Sequence, residues 1–239
     1  MSNIALIIAG GSGNRMGQDI PKQFMHIGDC PVIIKTMMAF EQNSNITDIA
    51  VVCLHGWETA LQSYANQYNI RKIKHIFQGG LNGQDSIRNG VYGLLENGYD
   101  RSDIVLVHDA VRPLISQDII SNNIASCIKY GNAITCIKCA EAILESEDMI
   151  SSETSIPRDK LFRTQTPQTF RLGDLADAHK AALEKGITSS VSSCTMMIEL
   201  DGRKLWIVPG EERNIKLTNA EDIELYKSLL HTDKEHWMK

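Results

Sequence analysis

A run of glycines and two cations behind an apolar segment is where this chain could first do chemistry. Ile4 to Ala9 leads into Gly10-Gly11-Ser12-Gly13-Asn14-Arg15-Met16-Gly17, and Pro21-Lys22-Gln23 follows. Glycines at a strand end let backbone N–H groups close on anionic oxygens, and Arg15 and Lys22 add positive charge, so the segment has the make-up of a triphosphate cradle. The plainer reading is a tight turn with two surface cations. Other glycine-rich phosphate loops fit poorly. Reading G-x-G-x-x-G from Gly11 puts Met16 where the third glycine belongs, and no G-x-x-x-x-G-K-[ST] occurs in the chain.

A second chemical segment is Val105-Leu106-Val107-His108-Asp109-Ala110-Val111-Arg112-Pro113, an apolar strand ending in an acid with an arginine three residues on. A carboxylate at a strand's carboxyl end beside a triphosphate suits Mg²⁺, which takes few protein oxygens and shares the rest with phosphates. Asp109 is therefore the expected metal ligand, with Mg²⁺ as the cofactor. Without a metal, Asp109 would cap the next loop and Arg112 would pair with it. His108 reads as a strand-end residue rather than a base, and no G-x-S-x-G elbow exists to supply a serine nucleophile. Gly79-Gly80-Leu81-Asn82-Gly83-Gln84-Asp85-Ser86 forms a third segment, where glycines permit close approach to a flat base and Ser86 offers a hydroxyl; the alternative is a loop with Asp85 as helix cap. In Arg213-Asn214-Ile215-Lys216-Leu217-Thr218, Lys216 would bring another cation to the phosphates, while Thr218 or Asn219 caps the following helix.

The elements that must position these residues alternate. Ile4 to Ala9, Asp48 to Leu54, Ile73 to Gln78, Ile104 to His108 and Ala133 to Ile137 read as strands. Val32 to Gln42, Glu58 to Tyr68, Asp85 to Glu96 and Gln117 to Tyr130 read as helices between them. This is the rhythm of βαβ units, an α/β fold with a mainly parallel sheet, in which ligands collect beyond the carboxyl ends of the strands. The loops after the first, third and fourth strands should then meet at one site. From about residue 138 to 164 the rhythm breaks into a polar, acidic stretch, read as an arm of two extended segments around a turn. Beyond it, Leu172 to Glu184 and Ala220 to Leu230 read as helices, Leu205 to Val208 as a short strand, and His231 to Lys239 as a tail. The 239 residues are taken as one nucleotide-handling domain with the arm as an excursion.

Composition narrows the partners. A net charge of -5 argues against a duplex nucleic-acid surface, which needs clustered Lys and Arg. The first apolar run is too short for a signal h-region or a membrane span, so a cytoplasmic protein is expected. Of the six cysteines only Cys136 and Cys139 are spaced as a C-x-x-C pair; with no second pair or nearby histidine they read as buried thiols.

The combination I-x-A-G-G-x-G-x-R-M-G-x(3)-P-K-Q, with His-Asp-Ala-x-Arg-Pro, the Gly80 to Ser86 loop, Thr166-Pro167-Gln168 and N-x-K-x-T at Asn214, resembles the family of methylerythritol-phosphate and ribitol-phosphate cytidylyltransferases. That resemblance implies a Rossmann-like nucleotidyltransferase fold of the GT-A type and transfer of CMP from CTP to a small phosphorylated polyol. It implies nucleotide contacts at Ala9, Gly10, Gly11, Gly13, Gly80, Ser86 and Ala110, and acceptor contacts at Arg112, Arg158 and Thr166. Arg15, Lys22 and Lys216 would be catalytic, and Asp109 would hold the metal. The arm would interlock two subunits into a homodimer, with Arg158 reaching across to the partner. Three departures stand out. The family usually carries arginine at Gly83, and its methylerythritol-phosphate members usually show an acidic T-D-[DE]-A where this chain has Thr188-Ser189-Ser190-Val191 and an Asp-Thr where Glu141-Ala142 stands. A competing expectation is a catalytically silent nucleotide-binding module of the same fold; an NAD dehydrogenase is disfavoured by the glycine spacing.

Overall fold

Strand β1 (Asn3–Ala9) is apolar almost throughout because both faces of the sheet it centres are covered. Successive side chains alternate: Ala5, Ile7 and Ala9 enter one hydrophobic cluster, while Ile4 and Leu6 enter another on the opposite face. The computed structural model describes residues 1–11 and 20–230.

In chain order the further elements are the hairpin strands β2 (His26–Ile27) and β3 (Cys30–Pro31), α1 (Val32–Gln42), β4 (Asp48–Cys53), α2 (Glu58–Gln67), β5 (Ile73–Gln78), α3 (Gly83–Glu96), β6 (Ile104–Asp109), α4 (Gln117–Tyr130) and β7 (Asn132–Lys138). Then come the arm strands β8 (Ile143–Glu145) and β9 (Thr154–Ile156), β10 (Phe162–Arg171), α5 (Leu172–Glu184), α6 (Ser193–Asp201), β11 (Ile207–Pro209) and α7 (Ala220–Leu230). Seven strands form the main sheet in the order β11-β7-β10-β6-β1-β4-β5. β1 lies between β4 and β6, parallel to both, so the strand order reverses there, the place where an α/β sheet opens a crevice. β10 alone runs antiparallel, against β6 and β7. Its first residues, rather than its last, therefore reach the edge of the sheet where β1 and β6 end.

Several expectations need correction. Phe162 to Thr164, expected at the end of the arm, belong to the main sheet, and β10 was not read as a strand because Pro167 cannot donate to a ladder. The sheet tolerates it through a shift of register between Thr164 and Gln168, and Thr135 Oγ1 donates to the Pro167 carbonyl at 2.7 Å. α6 was also missed. It starts on Ser192, whose hydroxyl accepts from Thr195 N, and stops at Gly202 in the left-handed region with φ 66°. β11 begins at Ile207 rather than Leu205. The helix expected from Asp85 begins at Gly83, and its cap is Asn82, whose side chain accepts from Asp85 N at 2.9 Å. The arm is a two-stranded antiparallel hairpin, paired Ile143 to Ile156 and Glu145 to Thr154. All six cysteines are buried free thiols. Among the described residues no helix is long and apolar enough to cross a membrane.

Candidate active site

At the carboxyl edge of the sheet, backbone contacts draw the expected loops together. Ala110 N donates to Ile8 O at 3.1 Å, tying the end of β6 to β1. Gly10 sits so close to the β5–α3 loop that a Cβ there would lie 2.8 Å from Ser86 Oγ and 3.0 Å from Gly79 Cα. Gly80 is packed just as tightly, its hypothetical Cβ 2.3 Å from Asp85 Cβ. Ser86 is spent on the loop itself: its hydroxyl accepts from Gly80 N and donates to Asn82 O, both at 3.0 Å. Gln23, buried beneath the first loop, donates from Nε2 to Ala9 O at 2.9 Å and to Gly11 O at 2.8 Å. Gly13 and Arg15 lie outside the described residues. Lys22 opens a short 3-10 turn, Lys22–Phe24, and its charge reaches Asp222 at the head of α7.

Beside these loops lies a cavity of about 300 Å³. Asp109, Arg112, Thr166 and Lys216 line it, four residues from three segments widely separated in the chain. Arg112 Nε donates to Asp109 Oδ2 at 3.0 Å, and Lys216 Nζ to Asp109 Oδ1 at 3.1 Å. Burial acts to raise the Asp109 carboxyl, but Lys216 and then Arg112 outweigh it and hold the group at about 2, so it is ionised near neutrality. Arg112 is locked further by Nη1 donating to Asn214 O at 2.7 Å. Asn214, fully buried, donates from Nδ2 to Thr166 O at 2.9 Å and to Gln165 Oε1 at 3.2 Å, so the loop carrying Lys216 is pinned to the start of β10. That loop ends where Asn219 accepts from Asp222 N and Asp222 in turn accepts from Thr218, a reciprocal cap on α7.

Thr166 has a bridging task. Its hydroxyl accepts from Asp109 N at 3.1 Å, which leaves its proton for His108 Nδ1 at 3.1 Å. His108 is thus a neutral imidazole carrying its proton on Nε2, which donates to Arg112 O at 3.3 Å. Burial pushes this imidazole down to about 4, in keeping with a structural role and not that of a base. Arg158 stands apart at the foot of the arm, donating to Ala140 O, and does not line the cavity.

Gln84, Gln168 and Ser190 to Ser193 also line the cavity, joined by the apolar Ile8, Ile87, Val107 and Val191, and of these polar residues Ser192 and Ser193 were not anticipated. Gln168 Oε1 accepts from Cys194 N at 3.1 Å and so seats α6 against β10. Neutral polar residues carry no charge signature in a sequence; the one available signal was the serine run itself.

Asp109 is the only carboxylate lining the cavity, and no cluster of three or more His, Cys, Asp or Glu side chains gathers among the described residues. A mainly parallel sheet gathering an acid, an arginine and a lysine beside a glycine-rich first loop defines a nucleotidyltransferase. The family model for IspD, 2-C-methyl-D-erythritol 4-phosphate cytidylyltransferase, matches residues 3–232, and the chain belongs to that family. It is 37% identical over 228 residues to the ribitol-5-phosphate cytidylyltransferase of Lacticaseibacillus paracasei, covering 95% of this chain and 97% of that one. It is 33% identical over 236 residues to the 2-C-methyl-D-erythritol 4-phosphate cytidylyltransferase of Clostridium novyi, covering 97% and 98%. The crystal structure of the Francisella tularensis 2-C-methyl-D-erythritol 4-phosphate cytidylyltransferase superposes with a TM-score of 0.79 at 26% identity, over 95% of this chain and 99% of that one.

Proposed function

We propose that this chain transfers the cytidylyl group of CTP to ribitol 5-phosphate and releases pyrophosphate. The observation that carries the reading is the convergence of Asp109, Arg112, Thr166 and Lys216 on one cavity in a member of a cytidylyltransferase family. Ribitol 5-phosphate is preferred over methylerythritol phosphate for two reasons. Serines, not the acidic residues of the resembling methylerythritol-phosphate enzymes, form the wall at Ser190 to Ser193, and identity is higher to the ribitol-5-phosphate enzyme, 37% against 33%.

The chemistry is one of positioning anions. An oxygen of the acceptor's phosphate forms a bond to the α-phosphorus while the bond from that phosphorus to the pyrophosphate oxygen breaks. The phosphate monoester is already ionised near neutral pH and needs no strong base. What the protein supplies is orientation and a positive field for two anions brought together. Lys22 and Lys216 carry that field, with Arg15 as the third cation. Arg112, held by Asp109 and Asn214, gives the acceptor phosphate a rigid wall. Asp109 Oδ1, whose partner Lys216 is 43% exposed and free to turn towards phosphate, is the oxygen that would hold Mg²⁺, and bound Mg²⁺ would neutralise phosphate charge.

The arm belongs to a homodimer contact in this reading. Leu144, Met149 and Ile150 expose 66%, 91% and 92% of their surface along it, and Arg158 at its foot has no place in its own chain's cavity. The deciding assay supplies CTP, Mg²⁺ and a panel of four- and five-carbon polyol phosphates and follows pyrophosphate. Release with ribitol 5-phosphate is expected. Nucleotide binding without release on any acceptor would instead establish a silent binding module.

A further inference from the structure

Lys216 stands in a stretch without regular structure, since residues 215–218 belong to neither helix nor strand. Such a stretch has no ladder or helical turn to fix its backbone, yet cytidylyl transfer asks this lysine to meet Asp109 and phosphate from a set place. Two ties supply what the secondary structure does not. On one side of Lys216, Leu217 N donates to Val111 O at 2.9 Å. On the other stands Asn214, whose side chain donates from Nδ2 to Thr166 O at 2.9 Å and to Gln165 Oε1 at 3.2 Å, and whose N–H donates to Glu211 O at 3.0 Å.

Asn214 is 0% exposed, although Lys216 two residues on is open to solvent. A buried amide costs more than an apolar side chain of the same size unless its hydrogen bonds compensate, so those bonds define what the residue does. A backbone carbonyl and an amide oxygen both only accept, so the group facing Thr166 O and Gln165 Oε1 has to be an N–H donor. The bonds also close a ring. Asn214 O accepts from Arg112 Nη1, Arg112 Nε donates to Asp109 Oδ2, Asp109 N donates to Thr166 Oγ1, and Thr166 O returns to Asn214 Nδ2. Asp109, Arg112 and Thr166 line the cavity, and Asn214 is the member of the ring that does not.

We infer that Asn214 is a positioning residue for the transfer: without lining the cavity, it sets where the Lys216 backbone lies and leaves the lysine side chain to turn between Asp109 and phosphate. The inference rests on the cytidylyl transfer proposed above. Arg112 keeps its bond to Asp109 when the Asn214 side chain is removed, so the effect falls chiefly on Lys216.

The test uses the whole chain with two substitutions. Asn214→Ala removes the amide, and Asn214→Asp keeps its shape while turning an oxygen towards Thr166 O and Gln165 Oε1. In pyrophosphate release with CTP, Mg²⁺ and ribitol 5-phosphate, kcat should fall about 10- to 100-fold in either variant, the scale of a misplaced catalytic group. The KM values for CTP and acceptor should each change by about 3-fold or less. In a Lys216→Ala background, Asn214→Ala should cost about 3-fold or less, because residues that act as a unit do not add and the group being positioned is gone. A merely structural role would cost the same in both backgrounds, and that result would overturn the inference. So would a kcat within about 2-fold of the parent's in both single variants, or a loss confined to KM. Absence of a cooperative melting transition in both variants would give Asn214 to the fold and overturn it as well. A parent that releases no pyrophosphate with any polyol phosphate would sink the transferase reading itself; an active parent with an additive cycle would sink this inference alone.

Discussion

Gln23 offers the sharpest test of how the first loop is held. Its side chain is 2% exposed, and its single amide nitrogen bridges Ala9 O at 2.9 Å and Gly11 O at 2.8 Å, on either side of Gly10. Gly10 in turn is in contact with Gly79 and Ser86, so one amide sets the spacing between two loops. Gln23→Leu keeps nearly the same volume and removes both donors. Gly11 O then loses the one partner found for it among the described residues, while Ala9 O keeps Leu54 N at 3.1 Å. With about 1–3 kcal/mol for each buried acceptor deprived of its donor, and the lower end applying to Ala9, the loss should be about 2–4 kcal/mol. In a domain of this size that is roughly 5–15 °C in melting temperature. Because the displaced loop is the one expected to cradle the triphosphate, kcat/KM for CTP should fall at least ~10-fold, and the acceptor KM should change less. Gln23→Glu, with acceptors facing acceptors, should be worse than leucine on both measures. A Gln23→Leu protein melting within ~2 °C of the parent with an unaltered CTP KM would refute this account of the loop.

Other consequences follow from the same geometry. Lys22→Ala and Lys216→Ala should each lower the rate of pyrophosphate release at least ~100-fold, the scale of losing one preorganised electrostatic contact, and near-normal turnover of either would remove it from the site. Asp109→Asn preserves shape and removes charge; the Mg²⁺ concentration needed for half-maximal rate should rise about tenfold or more, and an unshifted Mg²⁺ titration would show that the metal sits elsewhere. Gly10→Ala should leave the protein folded and raise the CTP KM, since the new Cβ would lie 2.8 Å from Ser86 Oγ; circular dichroism together with CTP kinetics would detect the opposite. His179 on α5 is 2% exposed, and burial, helped by Arg88 and opposed by Asp85, pushes its imidazole down to about 4. The unfolded chain therefore takes a proton first as pH falls from 6.5, and stability is lost between about 6.5 and 4, by up to about 3 kcal/mol for a shift of this size. His179→Leu should flatten that slope in urea unfolding at pH 7 and pH 4.5; parallel slopes would clear His179 of it.

What could be read in the residues was what is local. α1, α4, α5 and α7 fall where apolar period and flanking residues put them, because a helix is specified within its own turns. β10 was invisible for the opposite reason. Its ten residues include Pro167, and they form a strand only because β6 and β7 already flank them. The same division runs through the site. Asp109, Arg112 and Lys216 declared themselves by charge at particular spacings. Gln23 and Asn214 are neutral, and their weight comes from burial against segments 12 to 102 residues away, which has no local trace.

The charged end of the site also shows why three ions are arranged as they are. Asp109 is flanked by two cations, yet they are not equivalent. Arg112 has an 11% exposed side chain, held at Nε by Asp109 and at Nη1 by Asn214 O; turning it away would strand a buried carbonyl and a partly buried carboxylate together. Lys216 has a 43% exposed side chain and, among the described residues, one hydrogen-bond partner, Asp109 Oδ1, so exchanging that contact for a phosphate oxygen costs little. Arg112 is therefore the fixed wall and Lys216 the cation that follows the charge. A site that must admit anions and release them gains from this asymmetry, because Asp109 offsets one of the two positive charges before substrate arrives and the Lys216 charge is freed only as phosphate enters.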